Sequence, residues 1–276
     1  MVFAARLTQR GHEIRSMDDL MVLYEKSFSE GTLRAISGLP HPTVQKFAVI
    51  TVAVVGASRR FLAQITRHQN EVKFMSASLQ YSDYSGQAEF AMPYEIMTAP
   101  GELKGLYLES CRSDLDCYEM LCKAGIGHDA AGYATPQGLR NVLLISATPY
   151  QWKHMIGQRT CRRNTDETRI VLLKIWRELY VLSPSLFGLS QTGPFCQRDK
   201  CAEGKMSCGQ PIEKTLGPAE ILQADYPALM AGGSFFSFAP KTAARDMATE
   251  GFSAITSFTV HPSISFEIIV HLPALL

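Results

Sequence analysis

The chain has 276 residues, 46% of them hydrophobic, enough for one substantial core or for a core domain with a small appendage. Only 19% of the residues are charged and the net charge is +1, which leaves no long-range field for a nucleic-acid backbone; DNA and RNA are disfavoured as main partners, while a local group of arginines still suits a small anion such as a nucleotide. No stretch has the length of a membrane span and the N-terminal residues carry no apolar signal-peptide run, so a cytoplasmic protein is expected.

Residues 17–36 carry Met21, Val22, Leu23, Tyr24, Phe28 and Leu33 at amphipathic spacing and predict a helix followed by a turn. The run Ser37-Gly38-Leu39-Pro40-His41-Pro42 breaks it and holds His41 in a stiff, extended entry between two prolines. Residues 47–55 are almost all apolar and mostly β-branched, which predicts a strand covered on both faces and ended by Gly56. Residues 57–69 predict a helix with Phe61, Leu62 and Ile65 inward and with Gln64, Arg67 and His68 sharing a face. Residues 79–84 predict a returning strand.

The longest helix is expected over 102–123, buried through Leu103, Leu106, Leu108, Leu115, Tyr118, Met120 and Leu121, and stopped by Gly125 and Gly127. After Val142-Leu143-Leu144-Ile145 a helical stretch, 150–161, offers Trp152, His154, Gln158 and Arg159. Thr165-Asp166-Glu167 is a good helix start, with Asn164 or Thr165 as cap. Arg140, Arg159, Arg162, Arg163 and Arg169 crowd this region, which reads either as an anion site or as a solvated face with Glu167 partners. From Pro184 the chain is turn-rich, and residues 215–276 have few charges and a β-like run at 263–271; His261 and His271 stand there among apolar residues and read as packed. The seven cysteines look reduced, and Cys196, Cys201 and Cys208 lack the paired Cys-x-x-Cys of a structural zinc site, so no metal is expected.

Two polar concentrations stand out. The first is Gln64-x-x-Arg67-His68-Gln69, eight residues, then Ser78-Leu79-Gln80-Tyr81; the second is His154, Arg159 five residues on, and Glu167-Thr168-Arg169 closing ten residues after that. In this order they resemble the flavin-dependent thymidylate synthases, the ThyX family, whose signature is Arg-His-Arg, seven residues, then Ser-x-Arg-Tyr, preceded by a glutamine. The likeness spans roughly residues 39–176. Gln69 and Gln80 stand where that signature has arginines, and the spacer is one residue longer, so Ser78 is the counterpart of the motif serine and Ser76 the alternative.

The resemblance implies an α+β fold, with a mixed or antiparallel sheet core flanked by helices, in a homotetramer with active sites shared between subunits. It implies FAD as prosthetic group, dUMP as substrate, and NADPH and 5,10-methylenetetrahydrofolate as co-substrates. It assigns Arg67, His68, Gln69, Asn164 and His41 to the flavin. Gln64, Ser78, Gln80, Tyr81, Arg140, Arg159 and Arg169 fall to the nucleotide, with Arg169 polarising the pyrimidine in place of a cysteine nucleophile. Residues 1–214 would form the catalytic domain and 215–276 an extension. A hydroxymethyl-transferring enzyme on the same fold, and a non-catalytic nucleotide-binding homologue, are the alternatives.

Overall fold

The computed structural model describes residues 1–27, 29–39, 42–86, 89–198, 201, 203–232, 236–237 and 267–271. Three helices open the chain: α1 (Val2–Arg10), α2 (Met17–Glu25) and α3 (Glu30–Ser37). The single helix expected over 17–36 is therefore two. Ser16 starts α2 with a reciprocal capping box to Asp19, and Ser29 starts α3 by accepting the Thr32 amide at 3.3 Å. Each serine satisfies amide groups that a continuous helix would have paired internally.

The strands are β1 (Ile50–Ser58), β2 (Val72–Ser76), β3 (Phe90–Ala91), β4 (Arg140–Ala147), β5 (Phe236–Ser237) and β6 (Glu267–His271). Between and after them run α4 (Arg59–Ile65), α5 (Tyr94–Thr98), α6 (Gly101–Lys123), α7 (His128–Ala131), α8 (Pro149–Arg159), α9 (Asp166–Leu182), α10 (Pro184–Phe187), α11 (Phe195–Arg198), α12 (Pro218–Asp225) and α13 (Pro227–Met230). The main sheet has the order β2-β4-β1-β6 with every neighbouring pair antiparallel, and β3 pairs with β5. An antiparallel sheet flanked by helices is the α+β architecture expected.

Gly56 does not end β1. It sits inside the strand at φ 94°, where the register against β4 slips between Val55 and Ala57. That left-handed backbone suits glycine, and the bulge lets the strand run on to Ser58. Nor is β1 covered on both faces: Ile50, Val52 and Val54 are buried while Thr51, Ala53 and Val55 between them are only half-buried. In β4, Leu143, Ile145 and Ala147 face the core, whereas Val142 and Leu144 are exposed.

The inner face packs on α9, which is buried at every position from 168 to 176. A helix buried around its whole circumference belongs in the centre of a fold, and each of its buried Ile, Leu and Val side chains contributes about 1.5–3 kcal/mol by leaving water. Two indoles fasten its surroundings: Trp152 donates to the Ile50 carbonyl at 3.0 Å and Trp176 to the Phe187 carbonyl at 2.8 Å. Ile221, Leu222, Tyr226 and Leu229, from α12 to α13, share this core.

The long helix α6 forms as expected and Gly125, at φ 86°, follows its end. Its burial differs: only Cys111 and Tyr118 are buried, and Leu103, Leu106 and Met120 are exposed. The expected strand over 79–84 is a turn instead; the returning strand is β2, ahead of it.

Candidate active site

The helix after β1 stops at Ile65, short of the 57–69 expected: Thr66 closes it, its amide and hydroxyl both returning to the Leu62 carbonyl at 3.1 and 2.8 Å, and the chain leaves the helix at Arg67. Gln64, Arg67 and His68 therefore share no helix face. They are gathered from outside, by Arg159 at the end of α8. Its Nε donates to His68 Nε2 at 2.9 Å, its Nη2 to the Gln64 carbonyl at 3.0 Å and its Nη1 to Asn164 Oδ1 at 3.2 Å. Asn164 in turn donates to the Gln158 carbonyl at 2.8 Å. One planar guanidinium thus ties the first polar stretch to the second.

His68 is 7% exposed, and its imidazole is pushed down to about 4 by burial first and then by the nearby Arg159 and His154. It is neutral near pH 7, and with Arg159 donating to Nε2 its proton sits on Nδ1. The His154 ring stands 6.0 Å away, edge to face, and rests in turn on Phe195 at 5.7 Å. Phe195 can lie there because residue 157 is glycine: a Cβ on Gly157 would come within 2.3 Å of the Phe195 ring.

Arg67, His68, Gln69, Tyr150, His154 and Gln158, together with Lys46 and Glu71, line a cavity of ≈ 680 Å³. Lys46 is ion-paired with Glu71, whose other oxygen accepts from Thr148 at 3.0 Å, so Arg67 is the cation in this cavity not committed to that carboxylate. Asn164 lines a second cavity, of ≈ 590 Å³, with Ser58, Arg60, Arg162, Asp166 and Glu167. Glu95 and Asp114 also face it, so its carboxylates disfavour phosphate there. Among the described residues Glu167 is held by Ser58 and not by an arginine ion pair: its oxygens accept the Ser58 amide at 2.7 Å and hydroxyl at 2.5 Å, and burial raises its carboxyl above the ordinary range against those bonds and the charge of Arg60.

Arg169, on the first turns of α9, is 3% exposed and already partnered. Its Nε donates to the Thr160 carbonyl at 2.8 Å, Nη1 to the Tyr226 hydroxyl at 3.2 Å, and Nη2 forms an ion pair with Asp225. Arg162 joins the same carboxylate at 2.9 Å. Burial alone would raise Asp225, but the two guanidinium hydrogen bonds outweigh it and hold the carboxyl below its usual value. Asp225 and Tyr226 are residues that motif reading missed, since they lie 56 and 57 positions away from Arg169.

The remaining expected residues are elsewhere. Arg140 pairs with Glu89 beside β3. Ser78 accepts the Gln80 amide at 3.1 Å within its own turn, Gln80 is exposed, and Tyr81 is 83% exposed; none lines either cavity. His41 lies outside the described residues, as does His261. Thr165 caps α9 without a side-chain bond to an amide, its hydroxyl going to Thr168 instead.

A site assembled from these stretches in this order defines a class. The thymidylate synthase complementing protein family, Thy1, matches residues 1–185, and the chain belongs to it. Among its relatives is a flavin-dependent thymidylate synthase from Thermococcus onnurineus, 28% identical over 181 residues, 63% of this chain and 73% of that one. Another, from Pyrococcus abyssi, is 25% identical over 150 residues, 53% of this chain and 61% of that one. A third, from Corynebacterium glutamicum, is 25% identical over 171 residues, 56% and 67% of the two chains. The crystal structure of a UMP/dUMP methylase PolB from Streptomyces cacaoi bound with 5-Br dUMP shares the fold, with a TM-score of 0.53 at 16% identity over 70% of this chain and 89% of that one.

Proposed function

We propose that this chain is a flavin-dependent thymidylate synthase: it binds FAD, takes dUMP as substrate and 5,10-methylenetetrahydrofolate as carbon donor, and uses NADPH as reductant to give dTMP. The observation that carries the reading is the Arg159 junction, which joins His68, Gln64 and Asn164 across the two stretches of the family signature. The larger cavity fits a flavin dinucleotide in its chemistry, with Arg67 for a phosphate, amides at Gln69 and Gln158 for ring heteroatoms, and aromatic walls at Tyr150 and His154. FAD, when bound, supplies the hydride chemistry that no side chain can.

The protein's own part is to bind, orient and polarise. Arg67, His68 and Gln69 hold the flavin, His68 as a neutral ring fixed in one tautomer by Arg159, and Asn164 joins them from the neighbouring cavity, where it anchors Arg159. His41 belongs with them on the family pattern. Arg169 has two guanidinium N–H groups beyond the three it has committed, and these polarise a pyrimidine carbonyl as negative charge develops. Gln64, Ser78, Gln80, Tyr81, Arg140 and Arg159 take the nucleotide side.

A homotetramer with shared sites accounts for the turn at 78–81 standing apart from both cavities of its own chain. The exposed Met75, Val142 and Leu144 on the outer sheet face and Leu103, Leu106 and Met120 on α6 support such an assembly. Residues 1–214 form the catalytic domain and 215–276 an extension whose α12 braces Arg169. Among the described residues no helix is long and apolar enough to cross a membrane, which is in keeping with a cytoplasmic enzyme.

Purified protein supplied with FAD should hold it through gel filtration and turn yellow, then convert dUMP to dTMP with the folate and NADPH. Colourless protein that takes up no FAD overturns the flavoenzyme reading in favour of a non-catalytic nucleotide binder. A 5-hydroxymethyl product in place of dTMP identifies the hydroxymethylase.

A further inference from the structure

Away from both cavities, Asp83, Cys122 and His128 bring three potential ligand atoms within 4.8 Å of one another. The buried Tyr118 places its hydroxyl among them. His128 Nδ1 lies 3.2 Å from Tyr118 Oη, 3.6 Å from Cys122 Sγ and 3.8 Å from Asp83 Oδ1, and Tyr118 Oη lies 3.4 Å from Asp83 Oδ1.

Hydrogen bonding accounts poorly for this set. One ring nitrogen carries either a single proton or a single lone pair, yet Nδ1 faces a phenol, a thiol and a carboxylate together. Several of the separations are also long for hydrogen bonds. They match something else. A tetrahedral zinc site with bonds of about 2.0–2.3 Å has ligand-to-ligand edges of about 3.3–3.8 Å.

The neighbours hold these groups in position. The Ser85 amide donates to Asp83 Oδ1 at 2.9 Å, and the Tyr84 amide donates to Tyr118 Oη at 3.1 Å. Asp83 and His128 are both partly open to solvent, which leaves an entry path.

We propose that Asp83, Cys122 and His128, with Tyr118 at the fourth corner, form a binding site for a borderline-soft divalent cation of the zinc class. A thiolate, an imidazole and a carboxylate select zinc over magnesium or calcium, which prefer all-oxygen shells. Binding takes the thiol proton of Cys122 into solvent as the metal–sulfur bond forms. The three ligands come from the turn that follows residues 78–81, from the last turns of α6 and from the start of α7. The cation is therefore a clasp on the turn that carries Ser78 and Tyr81. Leu79 already leans on α7's end, 3.3 Å from where a Cβ on Gly132 would stand. Neither the site nor the clasp depends on the flavoenzyme reading.

Chelator-treated full-length protein titrated with Co²⁺ tests this. The expected result is a thiolate-to-cobalt charge-transfer band with intense tetrahedral d–d bands, saturating at one equivalent per chain and displaced by Zn²⁺. Cys122→Ser should abolish the thiolate band, and His128→Ala should weaken Co²⁺ binding about tenfold or more. A Cys196→Ser/Cys201→Ser/Cys208→Ser variant should keep both. Zn²⁺ should raise the melting temperature of the unsubstituted protein but not of Cys122→Ser, with folding of each variant checked by circular dichroism, and should slow amide exchange over residues 81–86. Absence of the band in the unsubstituted protein, its survival in Cys122→Ser, or its loss with the other three cysteines overturns the proposal.

Discussion

Arg159 and Arg169 stand ten residues apart and each donates three hydrogen bonds, but to partners of different kinds. Arg159 takes neutral partners from the two polar stretches themselves: an imidazole, an amide oxygen and a carbonyl. Arg169 takes a carboxylate and a phenol from the end of α12 and the residue after it, both beyond the stretch that matches the Thy1 family. Burial and the neighbouring Arg67 lower Arg159, whose charge no carboxylate offsets in its own network. A guanidinium surrounded by neutral acceptors keeps its whole field for a ligand; one paired with a carboxylate is held rigidly and has part of its field offset within the fold. The first arrangement serves recognition and the second fastens the C-terminal helices to the core.

The largest effect that separates the two is expected from Asp225→Ala. It leaves Arg162 and Arg169 without their shared carboxylate, and the protein should lose about 3 kcal/mol or more of stability in denaturant unfolding. A loss under half of that would mean Arg169 is not the fastening arginine. Next comes acid. The folded-state pKa of His68, about 4, lies below its ordinary 6.5, so its contribution is complete above the ordinary value and is lost as pH falls through this window. Over that span the loss approaches about 3 kcal/mol, and the unfolding free energy of His68→Gln should show a correspondingly flatter acid slope than the unsubstituted protein.

Arg159→Lys keeps the charge but not the fork, and FAD retention measured by fluorescence should weaken about tenfold, with stability changed by less than for Asp225→Ala. Equal damage to stability from both would erase the distinction between them. The smallest effect is that of Tyr81→Phe: the side chain is 83% exposed, so unfolding free energy should move by no more than about 0.5 kcal/mol. A drop in dTMP formation with stability intact would place Tyr81 in a site completed by another subunit.

How much of this was legible in the sequence follows the range of the interactions. The β-branched run of β1, the apolar run of β4 and the Thr165-Asp166-Glu167 start of α9 are local patterns, and the strands and helix formed where those patterns lie, although no side-chain cap closes α9. The end of α4 was not legible: the amphipathic spacing continues to His68, but long-range bonds from Arg159 to His68 and to the Gln64 carbonyl hold this stretch, and they leave no mark on the local pattern. Strand β1 looked two-faced because Thr51, Ala53 and Val55 are as apolar or β-branched as their buried neighbours, and sequence does not say which face stays open within one chain. Arg159 was found because its partners lie in the stretches that carry the family resemblance. Asp225, a single carboxylate in an ordinary helix, bears no local mark of its two arginines.

Gly157 has a consequence for engineering. The Phe195 ring occupies the volume that a side chain there would fill, and the His154 imidazole leans on that ring from the cavity wall. The wall is thus set by a residue that does not itself line the cavity. Replacing Phe195 with progressively smaller apolar side chains would let His154 settle outward by degrees, tuning which ring system the cavity accepts while every polar group in it stays as it is.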